Sequence, residues 1–63
     1  MFQIEEYRKK QHLTIGELAE RVGISREYMS QIENNRVSNI GTKLLVKLAK
    51  VLEVSVTDIL FLE

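Results

Sequence analysis

The spacing of Thr14, Gly23 and Ser25 predicts two helices separated by a very short turn. Thr14 followed by Glu17 is a capping-box pattern, in which the threonine hydroxyl and the glutamate carboxylate each accept the other residue's amide proton. Gly23 comes just after the last apolar residue of this segment, where a left-handed conformation ends a helix without steric cost. Ser25 is a preferred N-cap residue for a second helix. Because only about three residues link the helices, we expect them to cross at a sharp angle.

Three further segments have the apolar periodicity of short helices. They are residues 1–11, residues from about 42 to 53, and residues 56–60. Ser55 and Asp58 repeat the capping-box spacing at the start of the last segment, whereas either Asn39 or Gly41 could cap the fourth helix. A weak strand signal is confined to residues 60–62. The sequence therefore predicts an all-α chain of five short helices, organised as one domain over residues 1–63.

His12 is the only histidine, and it follows the first predicted helix. It reads either as a turn residue that tolerates a positive φ or as a metal ligand or catalytic base. We favour the turn, because no partner residue stands at ligand spacing. The chain has no cysteine and no cluster of carboxylates, so we expect no metal site, no cofactor and no enzymatic activity.

Overall charge argues against nucleic-acid binding unless the basic residues form a local patch. Nine basic and nine acidic residues cancel, whereas affinity for phosphate comes from lysine and arginine that neutralise it. No apolar run approaches the roughly 20 residues that a membrane span needs, and the N-terminus lacks the order of a signal peptide. We therefore expect a soluble, cytoplasmic protein with no membrane partner.

Two stretches carry a pattern that resembles a known family. Residues 13–34 read L-T-x-x-E-L-A-x-x-x-G-I-S-x-x-x-M-S-x-I-E-N, and residues 44–60 contain L-x-K-L-A-K-x-L-x-V-S-x-x-x-I-L. This pattern resembles the phage repressor and Cro type (XRE-like) of helix-turn-helix domain. The residue pattern from Ser25 to Ser30 is also similar to that of restriction-modification controller proteins and of some sporulation-type repressors. The resemblance implies a lambda-repressor-like DNA-binding domain with its helix-turn-helix at helices 2 and 3.

The resemblance also implies roles for individual residues. Arg8 and Glu33 match a family ion pair that joins the first helix to the end of the recognition helix, and we prefer this role for Arg8 over a DNA contact. The residues that would face the bases in the major groove are Arg26, Glu27, Ser30 and Gln31. The residues that would contact the DNA backbone are Thr14, Ser25, Tyr28, Asn34, Asn35, Arg36, Asn39, Thr42 and Lys43. Without the resemblance, the base-facing set would read as a solvated helix face.

The start of the second helix departs from the family pattern. Ile15 stands where the family usually has a glutamine that contacts phosphate, and Gly16 is a poor helix former that costs about 1 kcal/mol relative to alanine. Three placements are open for Ile15: against a thymine methyl group, against another protein, or beneath the first helix. We expect a weakened backbone contact at this helix.

These observations lead to two functional hypotheses. The first is a transcriptional regulator that binds double-stranded DNA sequence-specifically as a homodimer on a two-fold operator, with no small-molecule ligand. Its dimer surface is assigned to Ile59, Leu60, Phe61 and Leu62, which could instead pack back onto Phe2 and Ile4. The second is a protein-interaction module, an antitoxin-like domain or an adaptor, that keeps the fold without specific DNA binding. Neutral charge and the missing glutamine favour the second hypothesis, and the retained Arg26, Gln31 and Arg36 favour the first.

Overall fold

The computed structural model describes residues 3–37 and 39–60, and within them the predicted five-helix architecture is confirmed. The helices are α1 (Glu5–Lys10), α2 (Ile15–Val22), α3 (Arg26–Glu33), α4 (Thr42–Leu52) and α5 (Val56–Ile59). Helix α2 packs against both α3 and α4, and α4 packs against α5. Helix α2 therefore lies between α3, its partner in the helix-turn-helix, and α4.

The helix starts follow the caps that the sequence predicts. Thr14 Oγ1 accepts the Glu17 amide proton at 3.1 Å, and Glu17 Oε1 accepts the Thr14 amide proton at 2.8 Å. The Ser25 hydroxyl accepts the amide proton of Tyr28 at 3.1 Å and starts α3. The second predicted capping box, between Ser55 and Asp58, is also formed. Helix α4 begins after Gly41, which offers no side-chain cap.

Four of the helices end in the same left-handed turn, although only one of these turns uses glycine. The residues with positive φ are His12 (58°), Gly23 (82°), Asn35 (59°) and Glu53 (58°). In each turn the next amide donates back to a carbonyl five residues earlier, as in Leu13 N–H to Arg8 O at 3.2 Å. The turn at His12 confirms the prediction from sequence. The left-handed conformation of Glu53 was not predicted, and it ends α4 one residue before the predicted boundary.

The core is built from apolar side chains on the inner faces of α2, α3, α4 and α5, together with Ile4 before α1 and with Leu13 and Ile40 in the connections. The fully buried large side chains are Ile4, Leu18, Met29, Ile32, Leu48, Leu52 and Ile59. Ala19 is also buried, on the inner face of α2. The small side chain at this position is consistent with the close packing of α2 against α3.

The assignment of Ile59 to a dimer surface is wrong, because its side chain is 0% exposed within this chain's own core. The amide of Gln3 donates to the Ile59 carbonyl at 2.7 Å, which ties α5 to the segment before α1. Leu60 is half-buried and extended, and the described residues form no strand. Phe61 and Leu62, which complete the predicted dimer surface, lie outside the described residues.

A buried ion pair joins α1 to the end of α3. Arg8 Nε donates to Glu33 Oε2 at 2.8 Å, and Arg8 Nη2 donates to Glu33 Oε1 at 3.1 Å. The third guanidinium nitrogen, Nη1, donates to the Leu13 carbonyl at 2.8 Å. The two side chains are 9% and 2% exposed, so each charge has lost most of its hydration and depends on its partner.

We expect the substitution Glu33→Gln to lower the free energy of unfolding by on the order of 3 kcal/mol, because it leaves the buried Arg8 charge without a countercharge. The double variant Arg8→Met/Glu33→Leu should lose less, since it removes both charges. Urea unfolding followed by circular dichroism measures these losses. Glu5→Gln is the control, because its pair with Lys9 (3.1 Å) is exposed and should contribute at most about 0.5 kcal/mol. Equal losses for Glu33→Gln and Glu5→Gln would contradict the role given to the buried pair.

The two capping boxes predict a loss of stability in acid. The backbone amide of Thr14, and then its hydroxyl, hold the pKa of Glu17 below its ordinary value of 4.5. The amide and hydroxyl of Ser55 likewise hold the pKa of Asp58 below 3.8. Because both pKa values are lower in the folded chain, the stabilisation is present above about pH 4.5 and is lost as the pH falls through the folded values. The double variant Glu17→Gln/Asp58→Asn should therefore show a shallower loss of stability below about pH 4.5. Glu20→Gln, on the exposed face of α2, should keep the slope of the natural chain.

Candidate nucleic-acid interface

One face of α3 presents polar side chains to solvent while the other face is buried. Arg26, Glu27 and Gln31 are exposed, and Ser30 is half-buried. Met29 and Ile32 point into the core and are 0% exposed. Because the Ser25 cap makes Arg26 the first helical residue, the arginine projects from the N-terminal end of α3. The structure therefore places the four predicted base-reading residues on one helix surface.

An open hollow lies between the starts of α2 and α3. Its volume is about 340 Å³, and its lining residues are Ile15, Arg26, Glu27 and Ser30. Three of the four base-reading candidates thus share this hollow, whereas Gln31 does not line it. Ile15 is half-buried and also packs against the core. The structure places its side chain beside the α3 face, and the three placements that the sequence left open for Ile15 stay predictions.

Gly16 lies next to the stem of Arg26. A Cβ atom added at Gly16 would stand 4.0 Å from Arg26 Cδ and 4.0 Å from Thr14 Oγ1, which is ordinary van der Waals distance. From the sequence, Gly16 was identified only as a poor helix former, and its proximity to Arg26 was not predicted. No local pattern could have revealed it, because the distance depends on how α2 crosses α3.

The predicted DNA-backbone residues at the helix starts are caps. Thr14 and Ser25 are exposed, and each hydroxyl oxygen accepts an amide proton of its own helix. The hydroxyl proton of Ser25 can still be donated to a phosphate oxygen, whereas the Thr14 hydroxyl also interacts with the Glu17 carboxylate. Tyr28 is half-buried and packs against the core. Its side chain is therefore partly committed to the fold.

The remaining predicted backbone residues follow α3 along the chain. Asn34 Nδ2 donates to Ser30 Oγ at 3.3 Å, which links the end of α3 to the face predicted to read bases. Asn35 adopts the left-handed turn after α3. The other members of this set are exposed and belong to the loop or to the first turn of α4: Arg36, Asn39, Thr42 and Lys43.

The zero net charge conceals an uneven distribution along the chain. Residues 25–50 contain five basic and two acidic residues, and therefore a net charge of +3. One of those two acidic residues, Glu33, is already neutralised by Arg8 from outside this range. The segment that contains α3 and α4 is thus basic although the whole chain is neutral. The neutral charge of the whole chain therefore does not argue against nucleic-acid binding, because the basic residues are concentrated in this segment.

The described residues contain no group of three or more histidine, cysteine, aspartate or glutamate side chains arranged to hold a metal ion. Across residues 3–37 and 39–60, no helix has both the length and the apolar character needed to cross a membrane.

Comparison with known families supports the helix-turn-helix geometry. A helix-turn-helix family model matches residues 4–59 of the chain. The HTH-type transcriptional regulator SinR of Bacillus subtilis is 40% identical over 57 residues, which cover 90% of this chain and 51% of SinR. An uncharacterized HTH-type transcriptional regulator of Archaeoglobus fulgidus is 39% identical over 56 residues, which cover 89% of this chain and 78% of that protein. The chain spans about half the length of SinR.

Solved structures of SinR share the fold. The crystal structure of SinR, the master regulator for biofilm formation, in complex with DNA superposes with a TM-score of 0.80 at 41% identity, over 86% of each chain. SinR in its complex with SinI superposes with a TM-score of 0.79 at 42% identity, over 84% of this chain and 52% of SinR.

Gly16 and Gly23 offer a matched pair of substitutions by alanine. Both sites have room for a methyl group, but Gly23 has a φ of +82°. We expect Gly16→Ala to raise the free energy of unfolding by up to about 1 kcal/mol, because alanine is the better helix former. Gly23→Ala should lower it by about 1 kcal/mol or more, because alanine is strained at positive φ. Urea unfolding measures both changes, and a loss of stability in Gly16→Ala would show that the start of α2 requires glycine.

Proposed function

Because the chain belongs to the XRE-type helix-turn-helix family, we propose that it is a transcriptional regulator that binds double-stranded DNA sequence-specifically. It acts as one helix-turn-helix domain and binds a two-fold operator as a homodimer. The observation that carries this proposal is the exposed polar face of α3, which begins with Arg26 and lies in the basic segment of the chain. The crystal structure of the relative SinR with DNA supports the same use of the fold.

The exposed face of α3 has the chemistry that major-groove recognition needs. A guanidinium at the helix start can donate two hydrogen bonds to guanine O6 and N7, a carboxylate can accept from cytosine N4, and a glutamine amide can pair with adenine. Arg26, Glu27 and Gln31 supply these three groups, and all are exposed. Arg26 is the strongest candidate, because it combines a positive charge with a position at the N-terminal end of α3.

Phosphate contacts would come from the exposed residues on either side of this face. The N-cap hydroxyl of Ser25 can donate to a phosphate oxygen, while Arg36 and Lys43 supply positive charge. These contacts hold the protein on the duplex without reading its sequence. Since only a few of them carry charge, one subunit has modest affinity, and two subunits on adjacent half-sites bind together.

The homodimer places two α3 helices in successive major grooves, about 34 Å apart. Its contact surface is assigned to Leu60, Phe61 and Leu62, without Ile59. Selection of bound sequences from a random DNA pool tests both parts of the proposal. The selected sites should contain two inverted half-sites about one helical turn apart, centre to centre. Selection of a single half-site would retain sequence-specific binding but overturn the two-fold operator.

A gel-shift assay at low and moderate salt separates DNA binding from the alternative role as a protein-interaction module. The regulator should retain the selected sequence in preference to a scrambled one, with an affinity that falls as salt rises. Co-purification of a protein partner together with no specific DNA retention at either salt concentration would favour the interaction module instead.

We expect Arg26→Ala to relax the base preference at one position of each half-site, with a loss of about 1 to 3 kcal/mol for the preferred base. The reason is the loss of a bidentate contact that only guanine satisfies. Binding measured against the selected site and its single-base variants gives this pattern.

Lys47→Ala is the matched control for Arg26→Ala, because it removes one positive charge from the exposed side of α4. It should leave the order of base preferences unchanged. If the two variants weaken all sequences equally, Arg26 contacts phosphate and does not read a base.

A further inference from the structure

Ile15 stands at the edge of the proposed reading face, where its side chain cannot form a hydrogen bond. It is the first residue of α2, it is half-buried, and it shares the hollow with Arg26, Glu27 and Ser30. The other three lining side chains carry polar or charged groups. Ile15 therefore makes one wall of an otherwise polar hollow apolar.

The hollow is open to solvent. Its volume of about 340 Å³ is more than ten times the roughly 30 Å³ that one water molecule occupies. A phosphate group is a poor match for the apolar wall, because burying a charged oxygen against a hydrocarbon without a hydrogen bond is costly. The group that enters beside Ile15 should be apolar, while its neighbour should satisfy Arg26.

Only one group on the major-groove edge of the four bases is a hydrocarbon, the C5-methyl of thymine. The guanidinium of Arg26 and the side chain of Ile15 line one hollow, so they can address neighbouring bases. The adjacent Gly16 has no side chain to fill the space beside the stem of Arg26. If a guanine and a thymine are neighbours, the guanine can accept hydrogen bonds from Arg26 while the thymine methyl group contacts Ile15.

We propose that Ile15 is a specificity-determining residue that contacts the C5-methyl group of a thymine beside the guanine bound by Arg26. This inference rests on the proposed DNA-binding function. It assigns to α2 a role in reading sequence, in addition to the readout by α3. It also accounts for the partial exposure of Ile15, because the thymine methyl group would cover the part of the side chain that remains exposed in the folded chain.

Replacement of thymine by deoxyuridine tests this contact, because it removes only the methyl group. In the selected half-site, each thymine is replaced in turn and the dissociation constant is measured. For one thymine next to the Arg26-dependent guanine, we expect the natural chain to bind about fourfold more weakly, which corresponds to about 0.8 kcal/mol for one buried methyl group. Replacement at thymines outside the half-sites serves as the control on the DNA.

The same measurements on Ile15→Ala complete a double-mutant cycle. Ile15→Ala should bind the natural site more weakly but should no longer distinguish thymine from deoxyuridine at that position. Val51→Ala is the matched control, because Val51 is a half-buried aliphatic residue that packs on the core from α4 and does not line the hollow. It should keep the fourfold effect. If Ile15→Ala does not fold, Ile15→Gln replaces it, since that variant keeps a long side chain and removes the apolar surface.

The outcomes separate this inference from the proposed function. Specific DNA binding with no thymine whose replacement weakens the natural chain would overturn the role of Ile15 alone. The same conclusion follows if Ile15→Ala or Ile15→Gln keeps the full deoxyuridine effect. Absence of any specific DNA binding by the natural chain would overturn the proposed function and this inference together.

Discussion

The orientation of α3 depends on the guanidinium group of Arg8. Its hydrogen bonds reach Glu33 at the end of α3 and the Leu13 carbonyl before α2, so one side chain connects three parts of the chain. Both charged groups are almost fully buried, which means that neither tolerates the loss of the other. At its opposite end α3 is held by the Ser25 cap and by packing against α2. A helix fixed at both ends can present its outer face in one orientation.

That fixed face explains how a chain with no net charge can be suited to DNA. The ion pair removes Glu33 from the basic segment of residues 25–50 as a free negative charge. The remaining acidic residue there, Glu27, lies in the first turn of α3, where the helix dipole favours a negative charge. In the proposed function, attraction to phosphate is therefore local, and it depends on which charges the fold pairs internally as well as on the net charge of the chain.

The start of α2 lies close to the start of α3, and this proximity gives Ile15 and Gly16 a significance beyond helix stability. One residue forms an apolar wall beside Arg26, and the other leaves space beside the arginine stem. The two departures from the family pattern thus fall at one place in the structure. The weakened backbone contact expected at this helix stays a prediction, and the structure adds that both residues lie beside Arg26.

The sequence by itself determined the features whose partners are near in the chain. The capping boxes, the Ser25 cap and the left-handed turns at His12 and Gly23 all follow from hydrogen bonds that span three to five residues. The pairing of Arg8 with Glu33, 25 residues away, was expected only through the family resemblance, because no local pattern encodes it. Tertiary structure alone decided that Ile59 is buried and that Ile15 shares a hollow with Arg26. These outcomes depend on how the helices pack, and packing joins residues whose separation in sequence carries no periodic signal.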